Sequence, residues 1–263
     1  MSKISLQMYT VREYTKTLAD LETSVGRLAD IGFDTLQYTV NRSFDAKEVK
    51  RIFDSNKMVN DSVFCRVLDL EERQKEVLEE CALFGTDHIR IDNIPAVLAD
   101  SATGYKAYAH MLNELAQPYK KQGMKLLYHF HAFEFIRFGD LTGIEIILKE
   151  TDPEVIGLNP DTHWIQSGGR SVCSFLEQYK DRYDYIHTKD FAITKNGPTL
   201  EARPIEFAPV GEGNLEWQPI IDLCKKNGVK VFAIEQDACY GRDPFACAAA
   251  SFHNLKKFGA DKE

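Results

Sequence analysis

Four stretches from residue 125 onward end an apolar run in side chains that can hold a cation or move a proton. "KLLYHFH" (125–131) carries His129 and His131, with Glu134 three residues beyond. "VIGLNPD" (155–161) ends in Asp161, with His163 and Trp164 following. "DYIHTKD" (184–190) supplies His187, Lys189 and Asp190, and "VFAIEQD" (231–237) supplies Glu235 and Asp237. Glu134, Asp161, His187 and Glu235 would place three carboxylates and one imidazole around a divalent ion. That donor set suits Mn, Mg, Co or Zn and leaves coordination positions for water or substrate. On the first of these stretches His129 or His131 is an alternative ligand to Glu134.

Such side chains act together only if the fold brings the ends of these runs to one place. Eight short runs read as strands: 4–10, 33–39, 61–67, 88–91, 125–131, 155–161, 184–190 and 231–237. Between them lie amphipathic stretches such as "TLADLETSVGRLADIG" and "EERQKEVLEECALFG", with apolar residues at helical spacing and a closing Gly suited to a helix C-cap. Eight strand–helix alternations without a Pro/Ser-rich linker predict an α/β fold, a single-domain (β/α)8 TIM barrel over 1–263; a doubly wound open sheet is the runner-up. In a barrel, chemistry sits where each strand runs into the following helix, which is where the last four runs carry their polar residues.

Composition narrows the partners. The 263 residues are 44% hydrophobic and 27% charged, with a formal net charge of −8 and no long basic cluster. The expectation is therefore a small-molecule substrate, with no nucleic acid and no membrane as partner; a homo-oligomer is compatible with it. The N-terminal stretch lacks an uninterrupted apolar segment and no 18-residue apolar run occurs, which predicts a cytoplasmic protein. Six cysteines without a C-x-x-C pair read as reduced core residues.

Other residues take smaller parts. Gln7, Tyr9 and Arg12 at the end of the first strand are expected to bind substrate hydroxyls, and Tyr38, Arg66 and Arg90 are rim candidates. Trp164 and Phe133 have the shape to stack on the C–H face of a sugar, or to pack in the core. "GEG" in "PVGEGNLEW" reads as a turn, with Asn214 capping the next helix. Lys189 can steady a developing enediolate oxygen or pair with a carboxylate such as Asp190. His88, His110 and His253 read as structural. Cys173 and Cys224 lie in helical stretches without an evident partner His, which gives covalent catalysis little support.

The ordered set "SLQMYTVRE", "YHFHAFEF", "DTHWIQSGG", "YIHTKD", "PVGEGNLEW" and "AIEQD" resembles, over almost the whole chain, the xylose-isomerase-like TIM barrel family, the sugar phosphate isomerases/epimerases. The resemblance implies a metal held by Glu134, Asp161, His187 and Glu235. Many relatives carry Glu-x-His on the fifth strand where this chain has His129-x-His131. The implied activity is a metal-dependent isomerisation or epimerisation of a ketose or related keto-sugar through an enediolate. Glu134 and Glu235 would move the proton, His131 or Lys189 would polarise an oxygen, and Gln7, Tyr9, His129, His163 and Trp164 would bind substrate. The alternatives are a lyase acting on a keto-inositol or 3-keto-glycoside, with His131 or His163 as acid, and a non-catalytic sugar-binding barrel.

Overall fold

The computed structural model describes residues 2–38, 43–199 and 201–262. Thr39, the last residue of the expected second strand, lies outside them. The chain divides into two units, Met1–Asp61 with Tyr185–Glu263, and Ser62–Asp184.

The first unit is built on a parallel sheet of five strands, in the order Tyr185–Thr188, Val231–Ile234, Lys3–Gln7, Thr35–Gln37 and Val59–Asn60. Successive strand side chains point to opposite faces, and residues paired in register share a face. Ile186, Phe232, Leu6 and Leu36 are fully buried with apolar residues of the surrounding helices such as Leu21, Leu28 and Leu255. His187, Ala233, Ser5 and Thr35 align on the other face. Helix Leu18–Ile31 is fixed at both ends: Thr17 and Asp20 form a capping box, and Gly32 closes it at φ +114, a conformation that costs glycine least.

The second unit carries a parallel sheet of four strands, Val63–Cys65, His88–Asp92, Lys125–His129 and Ile156–Asn159. The same alternation sorts its residues. Tyr128 packs on Tyr108 of helix Ala102–Lys120, with ring centroids 5.9 Å apart, so Ile91, Tyr128 and Leu158 mark the helix-covered face. Asp92, His129 and Asn159, in register with one another, occupy the opposite one.

All eight expected runs contain strand. The third holds the strand Val63–Cys65, and a further short strand in the other sheet, Val59–Asn60, precedes the run. Most strands are shorter than the runs and stop before several polar residues, so that Asp161, Lys189 and Glu235 lie just beyond strand ends. Among the described residues no helix is long and apolar enough to cross a membrane, and no disulfide joins the cysteines.

The "GEG" stretch holds an anion from the chain itself. Asp190 opens a hairpin formed by Asp190–Ile193 and Ile205–Ala208. Its carboxylate accepts from Phe191 N, Gly211 N, Gly213 N and Leu215 N at 2.8 to 3.3 Å and from Trp217 Nε1 at 2.6 Å. A Cβ on Gly213 would fall 2.3 Å from Asp190 Oδ1, so only glycine lets the backbone approach so closely. The expected cap at Asn214 is not formed: its Oδ1 accepts from Ile193 N at 2.9 Å, and helix Trp217–Lys226 begins without a side-chain cap.

Asp190→Ala strands five donors at once and is expected to lower the unfolding free energy by about 3 kcal/mol or more. Trp217→Phe, which removes one donor, should lower it by about 1 kcal/mol. Urea denaturation followed by circular dichroism measures both; a loss under ~1 kcal/mol in Asp190→Ala would contradict this account of the loop.

Candidate metal centre

The first unit contributes an imidazole, a carboxylate and an ammonium in mutual contact. His187 lies in the strand Tyr185–Thr188, Lys189 follows its end, and Glu235 follows the strand paired to it. His187 Nδ1 lies 3.0 Å from Glu235 Oε2, and Lys189 Nζ bridges Glu235 Oε2 at 2.9 Å and Asp237 Oδ2 at 3.1 Å. Lys189 therefore pairs with Glu235 and Asp237, whereas Asp190 is committed to its loop. Burial raises the Asp237 carboxyl, the negative charge of Glu235 raises it further, and Lys189 opposes both. The other nitrogen of His187, Nε2, lies 2.6 Å from Gln37 Oε1.

In the second unit His129 ends its strand with Nδ1 3.3 Å from the Asn159 carbonyl oxygen. Asp161 caps the short helix Thr162–Ser167 through Oδ1, which accepts from Trp164 N at 3.0 Å. Around them stands a group of rings. His131 lies 4.9 Å from His129 and 5.2 Å from Trp164, stacks parallel to Phe133 at 5.9 Å, and His163 meets Trp164 edge-on at 4.5 Å. His163 Nε2 also contacts Ser167 Oγ at 3.2 Å. Phe133 is partly exposed at 38% and Trp164 half-buried, so neither is simply core.

His129, Asp161, His187 and Glu235, all buried, each offer one donor atom, and these atoms lie within 4.8 Å of one another. Two carboxylates and two imidazoles could hold a divalent metal: the carboxylates match the charge of the ion, and burying both is costly unless positive charge or hydrogen bonds offset it.

Glu134 is absent from this group, and its chemistry gives the reason. Its Oε1 accepts from Tyr128 OH at 2.6 Å and its Oε2 from His131 N at 2.8 Å, so both oxygens are engaged where the chain turns out of the strand. Burial raises this carboxyl to about 7, against the opposing pull of those hydrogen bonds. Burial first, and then the Glu134 charge, raises the Tyr105, Tyr108 and Tyr128 phenols.

The remaining expected residues divide. Gln7 is buried, accepts from Tyr9 N at 3.1 Å and lies in register with Gln37. Tyr9 is 46% exposed, with the Arg12 guanidinium 4.0 Å over its ring. Tyr38 is buried against Phe53 of helix Ala46–Ser55. Arg66 is engaged by Asp69 and Arg90 by Asp92. His88, His110 and His253 contact Asp87, Glu150 and the Ala249 carbonyl. Gln37 is the residue that sequence reasoning missed. The signal was its phase, two residues after Thr35 on a strand whose intervening Leu36 is core.

Comparison with known proteins gives this geometry a context. The family model for the xylose isomerase-like TIM barrel matches residues 25–244. An inosose dehydratase of Clostridium beijerinckii is 24% identical over 164 residues, covering 58% of this chain and 54% of that protein, so this chain spans about half the length of that curated relative. A sugar phosphate isomerase/epimerase from Parabacteroides distasonis superposes with a TM-score of 0.79 at 19% identity, over 97% of this chain and 94% of that one. A xylose isomerase-like TIM barrel protein from Mycobacterium smegmatis, solved in complex with magnesium, superposes with a TM-score of 0.70 at 14% identity, over 99% and 97%.

Glu134 carries a pH signature. Its folded-state carboxyl, raised from 4.5 to about 7, stays protonated where the unfolded chain has ionised. Its contribution to stability is therefore whole below the unfolded value and is lost as pH rises through about 7. Between pH 4.5 and 8 the metal-free wild type should lose about 3 kcal/mol of stability that Glu134→Gln does not lose. Urea titrations across that range test it; parallel pH profiles would contradict the assignment.

Proposed function

Because the chain belongs to the xylose isomerase-like TIM barrel family, we propose that it is a metal-dependent isomerase or epimerase acting on a ketose or related keto-sugar through an enediolate. The observation that carries this reading is the buried set His129, Asp161, His187 and Glu235, with Lys189 on Glu235. The strand 125–129 ligand is reassigned from Glu134 to His129, and residues 1–263 are read as one catalytic domain.

These four residues would hold a divalent ion, which would supply Lewis acidity to a substrate carbonyl and so lower the cost of removing the proton on the neighbouring carbon. The chain's own groups do the rest. Glu235 takes that proton on a carboxylate oxygen and returns it to the adjacent carbon while the hydroxyl proton passes to the former carbonyl oxygen, or returns it to the same carbon from the other face after the enediolate turns. Lys189, held by Glu235 and Asp237, donates to the developing oxyanion and keeps its charge. Phe133, His131 and Trp164 offer ring faces to the apolar side of a sugar and exclude water from the carbanionic carbon. Gln7 and His163 are assigned to the substrate's hydroxyls; Tyr9, with its exposed ring, is assigned to the entrance.

One observation favours a second reading, elimination. Epimerisation by two opposed carboxylates would use Glu134, yet both Glu134 oxygens are occupied. With one carboxylate base and the His131 and His163 imidazoles as acids, the same enediolate would expel a β-hydroxyl or glycosyl oxygen, which leaves with a proton from imidazole. The dehydratase name of the curated relatives points the same way.

Two experiments check the reading. Purified protein should bind one equivalent of Mn²⁺. His129→Ala and Glu235→Ala should weaken binding at least tenfold, while Glu134→Gln keeps it; the reverse pattern at His129 and Glu134 would overturn the reassignment. Ketoses, keto-inositols and 3-keto-glycosides should then be incubated with enzyme and Mn²⁺ in D2O. Deuterium beside the carbonyl with all substituents retained is the expected result. Loss of water or of an aglycone selects elimination, and turnover without exchange, elimination or rearrangement at that carbon would sink both readings.

A further inference from the structure

We infer that Gln37 is a positioning residue for the metal centre. Its side-chain carbonyl accepts the Nε2 proton of His187, so that Nδ1 of the same ring turns its lone pair to the divalent ion. This rests on the metal-centre reading above.

A neutral imidazole has one N–H and one lone pair, and only the lone pair binds a metal. The two nitrogens of His187 meet different surroundings. Nδ1 stands 3.0 Å from Glu235 Oε2, on the side of the donor cluster, and Nε2 stands 2.6 Å from Gln37 Oε1. If the proton sat on Nδ1, it would point at the Glu235 carboxylate and the ring could not be a ligand through that atom. The acceptor at Nε2 decides against that arrangement.

The carboxamide is well suited to the task and vulnerable in it. Gln37 ends the strand Thr35–Gln37 and, like His187, has no solvent exposure. Its Nε2 is buried and has no hydrogen-bond partner among the described residues, so the contact with His187 is what sets which end of the amide faces the ring. Turned over, the amide would donate to Nε2 and drive the proton to Nδ1, the tautomer that excludes a metal. His129 has the more rigid version of the same device. Its Nδ1 faces the Asn159 backbone carbonyl, an acceptor that cannot turn over, which leaves Nε2 as the donor atom. The two imidazoles would thus bind through opposite nitrogens, one set by the backbone and the other by a replaceable side chain. A glutamine also accepts the proton without adding a third carboxylate to Asp161 and Glu235, which leaves the donor set matched to a dication.

Two substitutions separate this role from packing. Gln37→Leu keeps the approximate volume but cannot accept, and should weaken Mn²⁺ binding measured by calorimetry 10- to 100-fold. Gln37→Glu accepts the same proton and should bind as tightly as wild type or more tightly. The wild type alone supplies the independent readout: in zinc-loaded protein with ¹⁵N-labelled histidine, the His187 Nε2–H should appear as a slowly exchanging signal. Gln37→Leu binding within twofold of wild type, Gln37→Glu as weak as Gln37→Leu, or a His187 proton on Nδ1 in the loaded wild type would overturn the inference while the metal centre stands. Wild-type protein that binds neither Mn²⁺ nor Zn²⁺ overturns the metal centre and this inference with it.

Discussion

Two carboxylates buried beside two imidazoles are the constraint on which the rest of the structure turns. Asp161 and Glu235 are withdrawn from water, and Lys189 pairs with Glu235. Removing an ion from water costs several kcal/mol after relaxation, so such a group persists when a cation or hydrogen bonds offset it. The neighbouring side chains are arranged accordingly. Gln37 and the Asn159 carbonyl face the outer nitrogens of the two histidines, and Asp237 holds Lys189 against Glu235. Asp190, one residue beyond Lys189, fixes its own loop with five donors and so keeps its charge out of the centre.

Strand phase puts the donors in place. Parallel strands alternate faces with period two, so a residue two positions beyond a core-opposed one inherits its face. Ala233 leads to Glu235, Thr35 to Gln37 and Asn159 to Asp161. Helices cover the other face through Tyr128, Phe232 and their neighbours. A one-residue slip in any of these strands would send its donor into the helix layer.

Much of this was legible in the sequence. The eight apolar runs named the sheets, and Asp161, His187 and Glu235 stood out because each closes such a run. The choice between His129 and Glu134 depended on where the strand stops. At His129 the backbone leaves the ladder for a turn at Ala132–Phe135, and the turn spends Glu134 on Tyr128 and on the His131 amide. Periodicity carries no sign of that hydrogen bonding. Gln37 escaped for a related reason: a three-residue strand is too short to display its alternation, so the aromatic next to it drew the functional reading although Tyr38 packs against Phe53. The "GEG" loop was legible as a turn, but its purpose depended on a contact with Asp190 more than twenty residues earlier.

His129, Asp161, His187 and Glu235 would give a bound ion two imidazoles and two carboxylates. X-ray absorption spectroscopy of the zinc-loaded protein tests it most directly. The expected spectrum has a first shell of nitrogen and oxygen at about 2.0–2.1 Å, with the outer-shell scattering of two imidazoles and a loss of one imidazole in His129→Ala. A spectrum fitted by a single imidazole in the wild type, unchanged by His129→Ala, would contradict it.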